Sequence, residues 1–411
     1  MNEVLRKDAN LIIDASIRAV LPDAAVKKAL TNININGNVV LVSVGKAGYQ
    51  MAKVASDILG DQISDGIIIT KYGHCREKIK NIKSVEAGHP VPDENSIRGT
   101  MEAIKIVSDL NKNDTVVFLL SGGGSSLFEL PFIDLEEMKN ITKQLLACGA
   151  DIKEINTIRK RLSRVKGGRF AEICSPAKVY SIILSDVIGD QPDMIASGPT
   201  CNDTTTCQDA ERIIKKYNIS LSNDANKYIK METPKELDNV STMLTGSVIE
   251  LCTAAQQECE RLGYRAILLT NRLSCQAKEA GFFLSSILQT YKDCKESIAF
   301  IAGGETIVKL IGDGKGGRNQ ELALAASLGI SGENGAAIFS VGSDGTDGPT
   351  DAAGGYVDEF TYDKLLEHGI NVYDVLNNND AYNALEKIDG LIVTGPTGTN
   401  VNDVAVALLK R

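Results

Sequence analysis

Two apolar patterns alternate along this chain. Short uninterrupted runs of β-branched and aliphatic residues, the mark of strands buried on both faces of a parallel sheet, are separated by longer stretches with apolar residues at helical spacing. In the first half, runs at 39–44, 66–70, 84–88, 116–120 and 178–184 predict five strands, and stretches at 49–59, 94–110 and 135–148 predict helices between them. Asp93 stands where it can cap the second of these helices, just after two prolines that stop regular structure. Residues 1–30 read as amphipathic helix, and the acids and bases running through them argue against a secretory leader or a membrane span. From 201 to 239 the chain turns to polar helices and turns. Beyond it the alternation restarts, with helices at 247–262, 275–291 and 322–328 and strands at 265–269, 298–302, 306–311, 337–341 and a last one at 391–393.

A chain of 411 residues exceeds what one hydrophobic core usually holds, and 43% hydrophobic residues suffice for two. The expected fold is therefore α/β in two domains: a Rossmann-like, mostly parallel domain over 1–238 and a smaller α/β domain over 239–411. The boundary is placed where the polar stretch ends.

The predicted strands run into glycine-rich polar loops, and open α/β sheets bind ligands beyond the carboxyl ends of their strands. The most specialised is TVVFLLSGGGSSL at 115–127. Gly122, Gly123 and Gly124 let the backbone take positive φ and bring N–H groups near a ligand, while Ser121, Ser125 and Ser126 add hydroxyls. Such a loop suits an anion, or serves simply as a tight strand-to-helix turn. After the first strand, Gly45-Lys46-Ala47-Gly48 places an ammonium beside a helix start, where free N–H groups and the helix dipole favour an anion. A solvated surface lysine is the plainer reading. This turn lacks the third glycine of a dinucleotide fingerprint, and the next strand ends in Thr70 and Lys71 rather than in an acid for a ribose, which disfavours a nicotinamide cofactor. His89 fits a packed turn histidine and a ligand contact equally well.

Charge changes the picture. The formal net charge of -9 argues against nucleic acid or an anionic membrane as partner, so an anionic substrate must be met by local positive charge. The segment NTIRKRLSRVKGGR at 156–169 is dense in basic residues and has no acid. A solvated helix face is the ordinary explanation of such a run, and a field drawing in a phosphate-bearing substrate is the other. Asp186, Asp190 and Asp193 share the loop after the strand at 178–184, spaced for a hard cation or a general base, with Asp186 directly at the strand end. Arg318 sits among glycines at a helix start, and Asp344, Asp347 and Asp351 suit dipole capping, magnesium or substrate hydroxyls alike. Nine scattered cysteines without zinc or redox spacing read as reduced thiols of a cytoplasmic protein. Cations and carboxylates gathered at strand ends match phosphoryl transfer, although no P-loop spacing is present.

The motifs SVGKAG, GHPVPDENS, LLSGGGSSL, NTIRKRLSRVKGGR, LSDVIGDQPDMIASGPT, GGETIVKLIGDGKGGRNQELALA, SDGTDGPTDAAG and DGLIVTGPTGTNVND cover nearly the whole chain in order, and together they resemble the class II glycerate 2-kinase family. Members of that family also carry an older label, hydroxypyruvate reductase. The resemblance implies a two-domain kinase with its site in the cleft between domains, using ATP and a divalent cation such as Mg2+ to phosphorylate D-glycerate on its 2-hydroxyl. It carries Lys46, Asp186 and Arg318 over as catalytic residues. Substrate or phosphate contacts are expected at Ser121, Gly122, Gly123, Gly124, Ser125, Ser126, Arg159, Lys166, Glu305 and Asn319, and metal ligation at Asp186 and Asp190. The sequence Gln191-Pro192-Asp193 departs from the family's usual acidic, proline-free loop and leaves the role of Asp193 open. Competing expectations are a nicotinamide-dependent hydroxypyruvate reductase and a non-catalytic sugar-acid or nucleotide-binding protein. A homodimer is a further expectation.

Overall fold

The computed structural model describes every residue except 32, 34, 36, 186–188 and 190. The chain forms two compact units, one of residues 25–245 and one of residues 1–24 with 246–411. The larger unit holds strands β1 (Val39–Val44), β2 (Ile63–Lys71), β3 (Ile82–Ala87), β4 (Thr115–Leu120), β5 (Lys178–Ile183) and β6 (Val240–Leu244). They pair in parallel throughout, in the order β3-β2-β1-β4-β5-β6. Every position of β1 and β4 is buried, as expected for central strands covered on both faces. This is the Rossmann strand order, in which the chain reverses its direction of winding between β1 and β4 and opens a crevice at their carboxyl ends.

The smaller unit is a mixed sheet. Its strands are β7 (Arg265–Leu273), β8 (Ile298–Gly304), β9 (Ala336–Gly342), β10 (Gly354–Asp358), β11 (Leu391–Ile392) and β12 (Asp403–Leu409), in the order β11-β10-β9-β12-β8-β7. Only β7 and β8 pair in parallel, and β12 lies antiparallel to both β8 and β9 in the middle of the sheet. Helix Arg318–Ile330 packs in the apolar core of this unit, with all but three of its residues buried.

Three expectations change. The stretch 306–311 is not a strand: Ile307 makes a lone bridge to Gln276, and Ile307, Leu310 and Ile311 are exposed because no strand pairs with them. The first unit runs to Thr245 rather than 238, since β6 completes its sheet against β5. The opening stretch breaks into helices Glu3–Ala19 and Pro22–Leu30, with Pro22 at the first helical position, where its missing N–H costs nothing. Helix Glu3–Ala19 then joins the smaller unit: Tyr264 donates to Asp8 at 2.7 Å, Lys410 pairs with the same carboxylate, and the Asn2 backbone N–H donates to Asp358 at 2.6 Å. Among the described residues no helix is long and apolar enough to cross a membrane. The nine cysteines are all free, and burial raises the thiols of Cys252 and Cys259 to about 12, far from reactivity at neutral pH.

Candidate active site

In the larger unit, the loops after β1 and β4 meet at the reversal point. The Lys46 backbone N–H donates to the Gly122 carbonyl at 2.9 Å, and the Ala47 N–H donates to Ser121 Oγ at 3.1 Å. Ser121 is thus consumed in joining the two loops, and Ser126, nearly buried, turns its hydroxyl to the Gly123 carbonyl at 3.2 Å. Ser125 and Lys46 keep partly exposed side chains, and among the described residues Lys46 forms no ion pair. Gly123 has φ of 88°, and a Cβ there would lie 3.0 Å from His89 Cδ2 and 3.3 Å from Lys46 Cγ. Only glycine allows this turn, and the same crowding brings Lys46, His89 and the glycine loop together. Burial lowers the His89 pKa, and the charges of Lys46, Lys71 and His74 lower it further, so His89 is a neutral imidazole at neutral pH.

The far end of the glycine loop is anchored in the core. Phe128 packs on Phe118 of β4 and Phe170 at centroid distances of 5.7 and 5.0 Å, each ring fully buried. Burying a phenylalanine is worth roughly 1.5–3 kcal/mol, and a well-placed ring pair adds about 0.5–1.5 kcal/mol. The loop therefore starts and ends on rigid supports.

The basic segment 156–169 is not a solvated face. Lys160, Arg161 and Lys166 are at most 1% exposed. Lys160 pairs with Asp193 at 3.1 Å and Asp203 at 3.2 Å; Arg161 pairs with Asp203 at 3.6 Å and Glu232 at 3.3 Å. These acids lie up to about 70 residues away along the chain, which is why the run looked unbalanced in sequence. Arg159 and Lys166 approach the glycine loop from beneath. Arg159 donates to the Ser125 carbonyl at 2.7 Å and pairs with Glu129 at 3.3 Å. Lys166 Nζ donates to the carbonyls of Ser125, Phe128 and Ala196 at 3.1, 3.0 and 3.2 Å, with Glu129 at 3.6 Å. Both cations hold the loop's backbone from inside, where direct phosphate contact was expected.

Asp186 and Asp190 lie outside the described residues. Asp193, next along that loop, is the salt-bridge partner of Lys160, a structural role. Among the described residues no group of three His, Cys, Asp or Glu side chains could hold a metal ion. An open cleft of about 650 Å³ is lined there by Asp193, Met194, Thr200 and Thr205.

In the smaller unit, Arg318 begins helix Arg318–Ile330 and grips Asp403 with two bonds, Nε to Oδ2 at 2.5 Å and Nη2 to Oδ1 at 2.9 Å. Its Nη1 reaches Glu305 at 3.0 Å. Burial opposes the guanidinium charge, but the bonds to Asp403 outweigh it and raise the Arg318 pKa. The anion at this helix start is the protein's own: Asp347 accepts from the backbone N–H groups of Asn319 at 3.1 Å and Gln320 at 2.9 Å. Gly317 makes that approach possible, since a Cβ there would sit 2.3 Å from the Asp347 carboxyl carbon. Burial raises the Asp347 carboxyl to about 6, with the two backbone bonds opposing. Asn319, expected at the ligand, is 1% exposed and receives the Ser340 hydroxyl at 2.6 Å. Arg318 and Glu305 border a cleft of about 640 Å³ together with Val308, Leu310 and Pro349.

Asp403, Glu129 and Asp203 are structural acids that the sequence does not single out, Asp403 carrying a signal only in its position just after NVN at the end of a glycine loop. Of the three roles open to Asp347, its place at the helix start is that of dipole capping.

Comparison with known proteins places these features in one family. Residues 8–230 match the family described as Domain of unknown function (DUF4147), and residues 298–403 match the MOFRL family. A D-glycerate 2-kinase of Thermotoga maritima is 51% identical over 99% of both chains. A glycerate 2-kinase of Pyrococcus horikoshii is 43% identical over 97% of this chain and 96% of its own. The crystal structure of a glycerate kinase from Thermotoga maritima superposes with a TM-score of 0.96 at 50% identity, covering 99% of this chain and 100% of that one. The chain belongs to the class II, MOFRL-type glycerate 2-kinase family.

Proposed function

We propose that this protein transfers the terminal phosphoryl group of ATP to the 2-hydroxyl of D-glycerate, giving 2-phosphoglycerate and ADP. The observation that carries this reading is the end-to-end likeness to a D-glycerate 2-kinase at 51% identity over both units. The site chemistry supports it. A loose phosphoryl-transfer transition state needs positioned positive charge and donors more than covalent help. Lys46, free of any ion pair among the described residues, supplies charge beside the glycine loop. Backbone N–H groups of that loop and the half-buried Ser125 supply donors. Arg318 is aimed by its two bonds to Asp403, which leaves Nη1, paired only with the partly exposed Glu305, for the glycerate carboxylate or the transferring group.

ATP as phosphoryl donor brings a divalent cation, normally Mg2+, which shields phosphate charge. Asp186 and Asp190 are proposed to hold it or, for Asp186, to receive the substrate hydroxyl proton; magnesium usually takes only one or two protein carboxylates beside substrate phosphates. Nine free thiols fit a reducing, cytoplasmic setting, and we further propose a homodimer.

Incubation with ATP, magnesium and D-glycerate, followed by phosphorus NMR, tests the assignment: the 2-phosphate is expected and the 3-phosphate is not. NADH-dependent reduction of hydroxypyruvate without ATP turnover would replace the kinase by the reductase reading, against which the Gly45–Gly48 turn already speaks.

A further inference from the structure

The buried Lys166 joins two loops that sequence places far apart. Its ammonium has three protons, and each meets a carbonyl: Ser125 and Phe128 from the glycine loop after β4, and Ala196 from the turn that ends the acidic loop after β5. The following residues continue the clamp. Gly167 N–H donates to the Ser197 carbonyl at 3.0 Å and Gly168 N–H to the Gly198 carbonyl at 2.8 Å, so three successive carbonyls of the turn are taken by three successive residues. That turn needs holding, because Ala196, Ser197 and Gly198 all have left-handed φ, of 50°, 60° and 61°, and two of them are not glycine. Tetrahedral geometry suits this arrangement and a planar guanidinium does not.

We propose that Lys166 is a positioning residue for phosphoryl transfer, whose single ammonium fixes the phosphate-binding glycine loop relative to the turn that follows the Asp186–Asp193 loop. The proposal rests on the kinase reading above. It predicts a specific pH behaviour. Burial lowers the Lys166 pKa to about 8, with Glu129 opposing the fall and Arg159 adding to it. Above that pH the amine keeps two donors and turns a lone pair toward the third carbonyl, loosening one loop from the other. Because the folded pKa lies below the unfolded one, this group makes the fold more stable, not less, as pH rises through that range. A fall in kcat with an apparent pKa near 8, with no accompanying loss of stability from this group, is therefore the expected wild-type signature.

Two variants decide the matter. Lys166→Met should lower kcat about 100-fold, the scale of an ångström-sized misplacement of reacting groups, and leave a flat pH profile. Glu129→Gln keeps the three carbonyl bonds but removes the charge that holds the Lys166 pKa up, so its alkaline limb should move to lower pH. A folded Lys166→Met with kcat within about threefold of wild type, far short of the loss expected from misplaced reacting groups, overturns the proposal. So does an unmoved limb in Glu129→Gln, which remains readable if Lys166→Met does not fold. Absence of 2-phosphoglycerate from the wild-type enzyme would instead overturn the kinase reading itself.

Discussion

Arg318 shows how one side chain is aimed by others. Asp403 is nearly buried, and burial raises its pKa while Arg318 draws it down. Removing the cation leaves that carboxylate uncompensated, so Arg318→Ala should destabilise the protein by about 3 kcal/mol at pH 7 in denaturant unfolding. The loss should shrink as pH is lowered, because burial raises the Asp403 pKa and the carboxylate takes up a proton more readily than an ordinary aspartate. Arg318→Lys keeps the charge but not the two-pronged grip, and its kcat should fall by on the order of 10²–10³-fold with a smaller stability change, as for a positioned cation in phosphoryl transfer. Asp347 behaves differently. Its folded pKa of about 6 lies above the ordinary carboxyl value, so its contribution is most favourable below about pH 4 and is lost as pH rises through 6. On the order of 3 kcal/mol should disappear over that window from this group. Chemical unfolding at pH 4.5 and 7.5 should show that slope in wild type and its absence in Asp347→Asn.

Strand ends organise the next scale. The glycine loop is rigid because Ser121 ties its start to the β1 turn and the phenylalanine cluster holds its end. Gly123→Ala should therefore strain a left-handed residue and push on His89 and Lys46 at once. We expect a stability loss of about 1–2 kcal/mol and a kcat loss larger than that energy alone would produce, measured as melting temperature against turnover in one preparation. Among the strands, β12 is the one on which the second sheet depends: all seven of its residues are buried between β8 and β9. A stop codon before Asp403 should leave two open strand edges and an aggregating product, checked by soluble yield and circular dichroism.

At the scale of the molecule, the two units differ in continuity. Residues 25–245 carry a whole parallel sheet in one stretch and should fold alone, giving a cooperative melt but no turnover, since Arg318 is absent. A fragment of 246–411 lacks helix Glu3–Ala19, whose buried face includes Leu5, Ile12 and Ile13. It should be poorly soluble until a peptide of residues 1–24 is added, which sedimentation can follow. A fragment beginning at 239 would fare worse, because it removes β6 from its sheet as well.

Sequence alone determined five of the six strands of the first sheet, whose uninterrupted apolar runs are a local property, and the loops at their carboxyl ends, which glycine and serine mark regardless of context; the sixth, β6, is a partly exposed edge strand without such a run. It also determined the family, because the motifs run the length of the chain. Tertiary structure alone decided which charges are partners. The basic run at 156–169 looked solvated because Asp203 and Glu232 lie far off in sequence, and Arg318 looked like an open anion site because nothing local reveals that Asp403 and Asp347 converge on it. The central strand β12 escaped notice for the same reason. Its place is set by pairing with β8 and β9, more than 60 residues earlier at the nearest, and the glycine-rich stretch before it masks its start. Local periodicity encodes elements; long-range pairing, of strands and of buried ions, exists only once the chain has folded.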